Sequence, residues 1–327
     1  MNINEIAKLA GVSRATVSRY LNQGYVSAEK KEKIRKIIEE TGYHPSNSAK
    51  TLRSRRTNFI GVIIPKINSD SIGRMVAGIT QSISQGGYQC LLACTNNDIQ
   101  EELRYLNTFN DQNVDGVILI GTIFTPEHKE RLKHLSVPIV ILSQQLDGYS
   151  CVYSDDYQAS YELSHQLART GQIFGYIGAE ARDIAVGHQR KQGFLDAIRH
   201  SGHPESSCFF EEAAFSMESG YEKARELFLA HPDIDTLVCA TDTIASGALR
   251  YLHEQNLSVP SQVQIAGFGD SSIARATTPT LSTAHFFYEE AGTETAKILL
   301  DMMQEKEHPL NRQLKLGFQI IRRNSTR

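Results

Sequence analysis

The chain has 327 residues, of which 40% are hydrophobic and 22% are charged, and its formal net charge is −3. This length is enough for about two domains, and the near-average composition excludes disordered, collagen-like and disulfide-framework proteins. No apolar run is long enough to span a membrane, and the polar N-terminus does not resemble a signal peptide. Five cysteines without a CxxC pair are typical of reduced thiols in the cytoplasm. We therefore expect a cytoplasmic protein without a membrane partner.

The charge is distributed unevenly along the chain. Residues 1–57 contain 12 Lys and Arg against 5 Asp and Glu, a net of +7, whereas residues 58–327 carry a net of −10. A basic segment on an acidic body is expected when one small domain binds a polyanion such as nucleic acid. A solvated basic helix face would give the same charge, so the local pattern has to decide between the two.

The N-terminal segment predicts three short helices. Asn2 is a typical N-cap, and Glu5 three residues later completes a capping box. Ser13 is the N-cap of a second helix, while Gly11 and Gly42 suit the left-handed turns that end helices. Two short helices joined by a glycine-containing turn and supported by a third are typical of a helix-turn-helix.

The second of these helices carries the side chains that we expect to contact DNA. Its N-terminal residues would enter the major groove first, so Arg14 and Ala15 are predicted to contact bases. Arginine can pair bidentately with guanine, and alanine can contact a thymine methyl group. The other polar residues of this segment are predicted to contact phosphates or to position the helix; they are Ser13, Thr16, Ser18, Arg19 and Asn22.

The string GVSRATVSRYLN closely resembles the helix-turn-helix of the LacI/GalR family, and the following GYHPSNSAKTL resembles its hinge helix. The resemblance implies that Leu52 is an apolar wedge in the minor groove at the operator centre, with Ala49 beside it. Ser46 is a competent N-cap for this hinge helix, although most family members have Asn there. Arg53 belongs to a basic cluster that suits phosphates.

From Phe59 onward, short apolar runs alternate with amphipathic stretches. The runs predict buried parallel strands at 59–64, 88–94, 116–120, 138–142, 173–177, 236–240 and 263–268. Alternation of this kind predicts doubly wound α/β sheets, and the excess over one sheet indicates two lobes with a ligand crevice at the carboxyl ends of the strands. This arrangement resembles the two-lobed periplasmic-binding-protein-like core of the LacI/GalR family.

The expected fold class is therefore a small all-α helix-turn-helix head plus a two-lobed α/β core. The predicted domains are 1–45 for the DNA-binding head, 46–57 for the hinge helix and linker, and 58–327 for effector binding and dimerisation. Within the core, the resemblance implies that Arg190 holds ligand hydroxyls and that Asp242 is an acidic ligand residue. Asp270 lies where the family has two acidic positions, the first of which is Gly269 here. Tyr288 is expected to supply a stacking ring or a hydroxyl.

The loop after the first strand departs from the family pattern. It is PKINSDS where family members have an aromatic pair. Lys66, with Ser69 and Ser71 at a helix N-terminus, predicts an anion site, and an ordinary surface lysine beside an N-cap is an equal alternative. Gln144, after another strand, is a further candidate that could equally be a structural hydrogen bonder. These departures give a weaker resemblance to the trehalose operon repressor subgroup, whose effector is a sugar phosphate.

The resemblance implies a transcriptional repressor of a carbohydrate-utilisation operon. It would bind double-stranded operator DNA as a homodimer and respond allosterically to a sugar or sugar phosphate; no leucine heptads follow FQIIRRNSTR, so no tetramer is expected. The chain contains no P-loop, GxSxG, GxGxxG or HExxH motif, and we predict no enzyme activity, catalytic residues, cofactor or metal. The alternatives are a free sugar-binding transport protein, which would not need residues 1–57, and a sugar-acting enzyme with a basic N-terminal domain.

Overall fold

The computed structural model describes residues 1–22, 24–43, 57–111, 114–304 and 310–327. The chain divides into two compact units, Met1–Thr57 and Asn58–Arg327, which are described one at a time. The predicted hinge segment lies outside the described residues except for Thr57, so its boundaries stay a prediction. Within the described ranges, no helix has both the length and the apolar character needed to cross a membrane.

The first unit consists of three helices, α1 (Ile3–Leu9), α2 (Arg14–Leu21) and α3 (Ala28–Thr41). The predicted capping box is confirmed: the Asn2 side chain accepts from backbone amides of the first turn, and the Asn2 amide donates to Glu5 Oε2 at 2.9 Å. Gly42 ends α3 with a φ of 61°, in the left-handed region that favours glycine. The core between the helices is centred on the fully buried Ile6, Val17 and Ile34.

The first lobe of the second unit is a parallel sheet covered by helices. Its six strands are β1 (Phe59–Ile64), β2 (Gln89–Cys94), β3 (Gly116–Ile120), β4 (Ile139–Leu142), β5 (Ser150–Ser154) and β11 (Gln313–Leu316), in the spatial order β11-β5-β4-β3-β1-β2. Its helices are α4 (Asp70–Gln85), α5 (Ile99–Asp111), α6 (Pro126–Lys133) and α12 (Tyr288–Gln304). Helices α4 and α12 pack backbone to backbone, because a Cβ on Gly78 would lie 2.0 Å from the Glu289 carbonyl oxygen.

The second lobe is also a six-stranded sheet covered by helices, and it differs in having one antiparallel edge strand. Its strands are β6 (Phe174–Gly178), β7 (Cys208–Glu212), β8 (Thr236–Cys239), β9 (Gln264–Phe268), β10 (Ser282–Phe286) and β12 (Phe318–Ile321), in the order β12-β10-β9-β8-β6-β7. Strand β12 is antiparallel to β10, and the other pairs are parallel. The helices are α7 (Asp156–Leu167), a π-helix (Ile184–Gln189), α8 (Arg190–His200), a 3₁₀-helix (Glu205–Ser207), α9 (Met217–Ala230), α10 (Asp242–Glu254) and α11 (Ser272–Ala276).

The chain passes between the lobes three times, from β5 to α7, from β10 to α12 and from β11 to β12. The two-lobed α/β fold class is thereby confirmed, and each of the seven predicted strands is present with ends shifted by at most one residue. Strands β5, β7, β10, β11 and β12 were not predicted. All three crossovers involve at least one of them, so the sequence pattern alone does not locate the passages between lobes.

Candidate DNA-recognition helix and interlobe cleft

Helix α2 presents its predicted DNA-contacting side chains in two groups. Four of them are engaged at the helix ends. Ser13 Oγ accepts from the Thr16 backbone amide at 3.2 Å and lies 2.9 Å from Thr16 Oγ1. Asn22 Nδ2 donates to the Ser18 carbonyl at 2.6 Å and to Ser18 Oγ at 3.5 Å. These residues therefore fix the helix ends in the protein itself. Arg14, Ala15 and Arg19 are instead exposed.

The ion pairs of the first unit engage the carboxylates of α3 and leave several exposed basic side chains of the described residues unpaired, among them those of α2. All four carboxylates of α3 pair with basic side chains of the same helix at 2.5–3.9 Å, and Glu5 caps α1. Within residues 1–22 and 24–43, Arg14 and Arg19 have no carboxylate partner, so both are available to phosphates or bases. The remaining predicted DNA contacts, Ser46, Ala49, Leu52 and Arg53, lie outside the described residues.

A cavity of about 380 Å³ lies between the two lobes of the second unit, where the strands of both sheets end. Small-molecule sites are typically about 300–1,000 Å³ and lie at the carboxyl ends of parallel strands. Seven of the eight predicted effector residues line this cavity; they are Lys66, Ser69, Ser71, Gln144, Arg190, Asp242 and Tyr288. Among the described residues, no cluster of His, Cys, Asp or Glu is arranged to hold a metal ion.

Arg190 is held on the floor of the cavity by a buried ion pair with Asp156. Its Nε and Nη2 lie 2.7 and 2.6 Å from Asp156 Oδ1, and its Nη1 donates to the Ala240 carbonyl at 2.6 Å. The guanidinium also lies 5.0 and 4.9 Å from the ring centroids of Phe268 and Phe286. Burial raises the pKa of Asp156, and the charge of Arg190 opposes that shift. The fixed guanidinium suits ligand hydroxyls.

Asp242 begins α10 with both carboxylate oxygens engaged. Oδ1 accepts from Thr283 Oγ1 at 2.6 Å, and Oδ2 accepts from the Ser271 amide at 2.8 Å. Burial raises the pKa of this carboxyl, and the two hydrogen bonds partly offset the shift. A Cβ on Gly267 would lie 2.6 Å from Oδ1, so only glycine leaves room for this carboxylate. Each oxygen retains lone pairs that can accept from a ligand hydroxyl.

Three side chains of the first lobe reach the second lobe across the cavity. Lys66 Nζ donates to the Phe215 carbonyl at 3.3 Å, and Arg74 Nη2 donates to the Gly269 carbonyl at 2.6 Å. Gln144 Nε2 donates to Asp183 Oδ1 at 2.7 Å. The Arg74 guanidinium also lies 4.9 Å from the Tyr288 ring centroid. The two lobes are therefore joined across the cavity by three side-chain hydrogen bonds.

Several cavity residues were not predicted. Arg74 lies on α4, where its position resembles a solvated face of an amphipathic helix. Asp183 accepts from the Val186 amide at the start of the π-helix, and burial raises its pKa. Asp156 follows Asp155 directly after β5, and this paired-acid sequence at a helix start is the signal that could have indicated it.

Asp270 is a correction to the predicted effector residues, because it does not line the cavity. Its carboxylate accepts from Arg323 Nη2 at 2.5 Å, and His285 Nδ1 lies 3.0 Å away. Burial acts to raise the pKa of Asp270, but these partners and Arg275 hold it below its ordinary value. The carboxylate thus ties the loop after β9 to β10 and to the C-terminal residues, away from the ligand space.

Comparison with known proteins places the chain in a family. Residues 2–46 match the model of the bacterial regulatory proteins, lacI family, and residues 165–326 match that of the periplasmic binding protein-like domain. The sucrose operon repressor of Staphylococcus xylosus is 36% identical over 307 residues, which cover 93% of this chain and 94% of that repressor. The chain belongs to the lacI family.

Other proteins match this chain over nearly its whole length. The transcriptional regulator IdnR of Escherichia coli (strain K12) is 31% identical to this lacI-family chain, over 99% of it and 98% of IdnR. The solved complex of the regulator CelR with cellobiose superposes with a TM-score of 0.75 at 26% identity, covering 99% of both chains. The lac repressor dimer bound to operator and the anti-inducer ONPF shares the fold, with a TM-score of 0.89 over 100% and 99% of the two chains.

Proposed function

We propose that this lacI-family protein is a transcriptional repressor of a carbohydrate-utilisation operon. It binds double-stranded operator DNA through residues 1–57, and it binds a sugar in the interlobe cavity. The observation that carries the proposal is the presence, in one chain, of a recognition helix whose Arg14 and Arg19 lack carboxylate partners and of a polar cavity between two lobes. The names of the sucrose operon repressor and of the CelR–cellobiose complex support the carbohydrate class.

The regulatory mechanism follows from the position of the cavity. A ligand between the lobes replaces or strengthens the contacts that join them, so it favours one arrangement of the lobes over another. It can change operator affinity only if it binds the two arrangements with different affinity. The predicted hinge, residues 46–57, connects the lobes to the DNA-binding helices and would pass this change on.

We infer that the functional unit is a homodimer. Two recognition helices related by a twofold axis read half-sites about 10 base pairs apart, or a small multiple of that distance, on an inverted repeat. The lac repressor, whose fold this chain shares, is described as a dimer bound to operator. A regulator of this kind acts in the cytoplasm, where operator DNA lies, and it needs no catalytic residue.

The effector that we propose is a sugar with its phosphate at Lys66, since the lining carboxylates of Asp183, Glu218 and Asp242 have no ion-pair partner among the described residues and favour hydroxyls instead. Arg190 is neutralised by Asp156 and Arg74 by Asp70, whose Oδ2 lies 2.9 Å from Arg74 Nε. In the described parts of the chain Lys66 has no such partner, and it lines the cavity beside Ser69 and the N-terminus of α4. A lysine and free helix amides favour a phosphate there. The carboxylate of Asp242 suits hydroxyls of the sugar.

The proposal is tested by selecting DNA from a random double-stranded library with the full-length protein. We expect an inverted repeat to be enriched. We also expect that a sugar or sugar phosphate changes the affinity of the protein for this repeat, as measured by fluorescence anisotropy. The double variant Arg14→Ala/Arg19→Ala should no longer enrich an inverted repeat from the library. The control Arg225→Ala, which changes an exposed arginine of the second unit, should enrich it as the wild type does. Failure to enrich any sequence, or turnover of a sugar by the protein, would refute the regulator.

A further inference from the structure

A second cavity, of about 290 Å³, adjoins the interlobe cavity. It lies between the loop that follows β4 and the π-helix, and we call it the outer groove. Five residues line both spaces; they are Ser143, Gln144, Tyr153, Ser154 and Ala185. Gln144 lines both spaces, whereas Asp183 lines only the interlobe cavity. The hydrogen bond from Gln144 to Asp183 therefore lies at the boundary between the two spaces. The two spaces are therefore neighbouring compartments of one interlobe region.

The outer groove contains polar side chains that the protein leaves unused. Among the described residues, no hydrogen bond or ion pair engages the side chains of Gln145, Gln189 or Lys129, or the hydroxyl of Tyr153. The carboxamides come from opposite lobes, since Gln145 follows β4 and Gln189 ends the π-helix. Each carboxamide offers two donors and an acceptor. Gln145 and Lys129 are exposed and Gln189 and Tyr153 are half-buried, so a ligand in the groove can supply the hydrogen-bond partners that the protein does not.

The chemistry of these groups selects a neutral, hydroxyl-rich ligand. Carboxamides match the paired donors and acceptors of adjacent hydroxyls, and a half-buried tyrosine ring offers an apolar face. One lysine, Lys129, and one carboxylate, Asp147, line the groove, so its charge favours neither an anion nor a cation. This differs from the part of the interlobe cavity at Lys66, where the unpaired lysine favours an anion.

We propose that the outer groove is a subsite for the second sugar unit of a disaccharide whose first unit occupies the interlobe cavity. The inference rests on the proposed function and deepens it, because it excludes a monosaccharide as the full effector. The ligand passes Gln144, which lies in the wall of both compartments, and contacts Gln145 in one lobe and Gln189 in the other. A disaccharide would thus bind both lobes at two places and stabilise their closed arrangement more than one sugar unit can.

The test is calorimetric titration of the full-length protein with sucrose, trehalose, cellobiose, their 6-phosphates, glucose, fructose and glucose 6-phosphate. We expect a disaccharide or its phosphate to bind most tightly. The variant Gln145→Ala/Gln189→Ala should weaken that binding by about tenfold, as expected for two or three lost hydrogen bonds, and leave monosaccharide affinity unchanged. Gln172→Ala, an exposed glutamine before β6 at the opposite end of that strand from the cavity, is the matched control and should bind as the wild type does.

The outcomes separate the two proposals. Unchanged disaccharide binding in the double variant, or a monosaccharide that binds as tightly as any disaccharide, overturns the subsite and leaves the regulator intact. If the double variant weakens the monosaccharide equally, the groove residues act on the cavity as a whole and the subsite is again wrong. If no sugar binds and none changes operator affinity, the proposed carbohydrate response fails and the subsite fails with it.

Discussion

Removing the carboxylate of Asp156 should destabilise the second unit strongly. The Asp156→Ala change leaves the guanidinium of Arg190 charged in a site where the two side chains are 4% and 5% exposed. Breaking a buried ion pair by deleting one partner costs about 3–5 kcal/mol, because the remaining charge is unpaired. The Ala240 carbonyl and the rings of Phe268 and Phe286 remain beside Arg190, so we expect a loss near the lower figure, about 3 kcal/mol.

The measurement is urea unfolding followed by circular dichroism, since the chain has no tryptophan to report by fluorescence. Glu222→Ala is the matched control: it removes the carboxylate of a pair with Arg225 whose side chains are 52% and 51% exposed, and it should cost at most about 1 kcal/mol. The double variant Asp156→Leu/Arg190→Met should recover stability relative to Asp156→Ala, because no charge stays buried. An Asp156→Ala protein as stable as Glu222→Ala would refute this account of the ion pair.

Three further changes test the DNA contacts, the anion site and a buried carboxyl. Arg14→Ala should cost about 1–3 kcal/mol on the selected operator and relax the preference at one base position; an equal loss on all sequences in an anisotropy assay would show a phosphate contact instead. Lys66→Ala should abolish the response of operator affinity to a sugar phosphate while sparing a neutral sugar, and equal loss of both responses would contradict the anion site. Burial raises the pKa of Asp183, so the contribution of this carboxyl to stability falls as pH rises above about 4, the value of an unfolded aspartate. Asp183→Asn should therefore gain stability relative to wild type as the pH rises above about 4, and a pH-independent difference in urea unfolding would contradict this.

The elements that were predicted correctly are stabilised by interactions between residues close in sequence or by burial of apolar side chains that requires no specific partner. The capping of α1 by Asn2 and Glu5 spans four residues, and Gly42 ends α3 through its own backbone freedom. The predicted strands are continuous apolar runs, whose burial needs no particular partner. Strands β5 and β10 differ, because they bury Ser150, Ser282 and Thr283. Their hydrogen bonds go to groups far along the chain, as in the Arg312 amide donating to Ser150 Oγ, and these cannot be inferred from local pattern.

The cavity residues also divide into those whose position follows from the local sequence and those whose position depends on contacts distant in sequence. Lys66, Gln144 and Asp242 come directly after strands or begin the next helix, so the position of the strand end suffices to place them in the cavity. Asp270 also follows a strand, yet its φ of 48° and its partner Arg323, 53 residues later, turn its carboxylate away. Arg74 was missed for the opposite reason, since its acceptor, the Gly269 carbonyl, lies 195 residues later. Side-chain direction was thus set by contacts distant in sequence.

The free energy of the hydrogen bonds that join the two lobes is similar to the free energy that a ligand must supply to shift the lobes from one arrangement to another. Four hydrogen bonds between described residues cross the cavity, from Lys66, Arg74 and Gln144 and from Ser272 Oγ to Asp70 at 3.3 Å. At a net of about 0.5–1.5 kcal/mol each, they amount to about 2–6 kcal/mol. Shifting a two-state equilibrium from 1:99 to 99:1 requires about 5.5 kcal/mol of differential binding. Because the two quantities are similar, a ligand that adds or removes a few such bonds can change which arrangement of the lobes predominates.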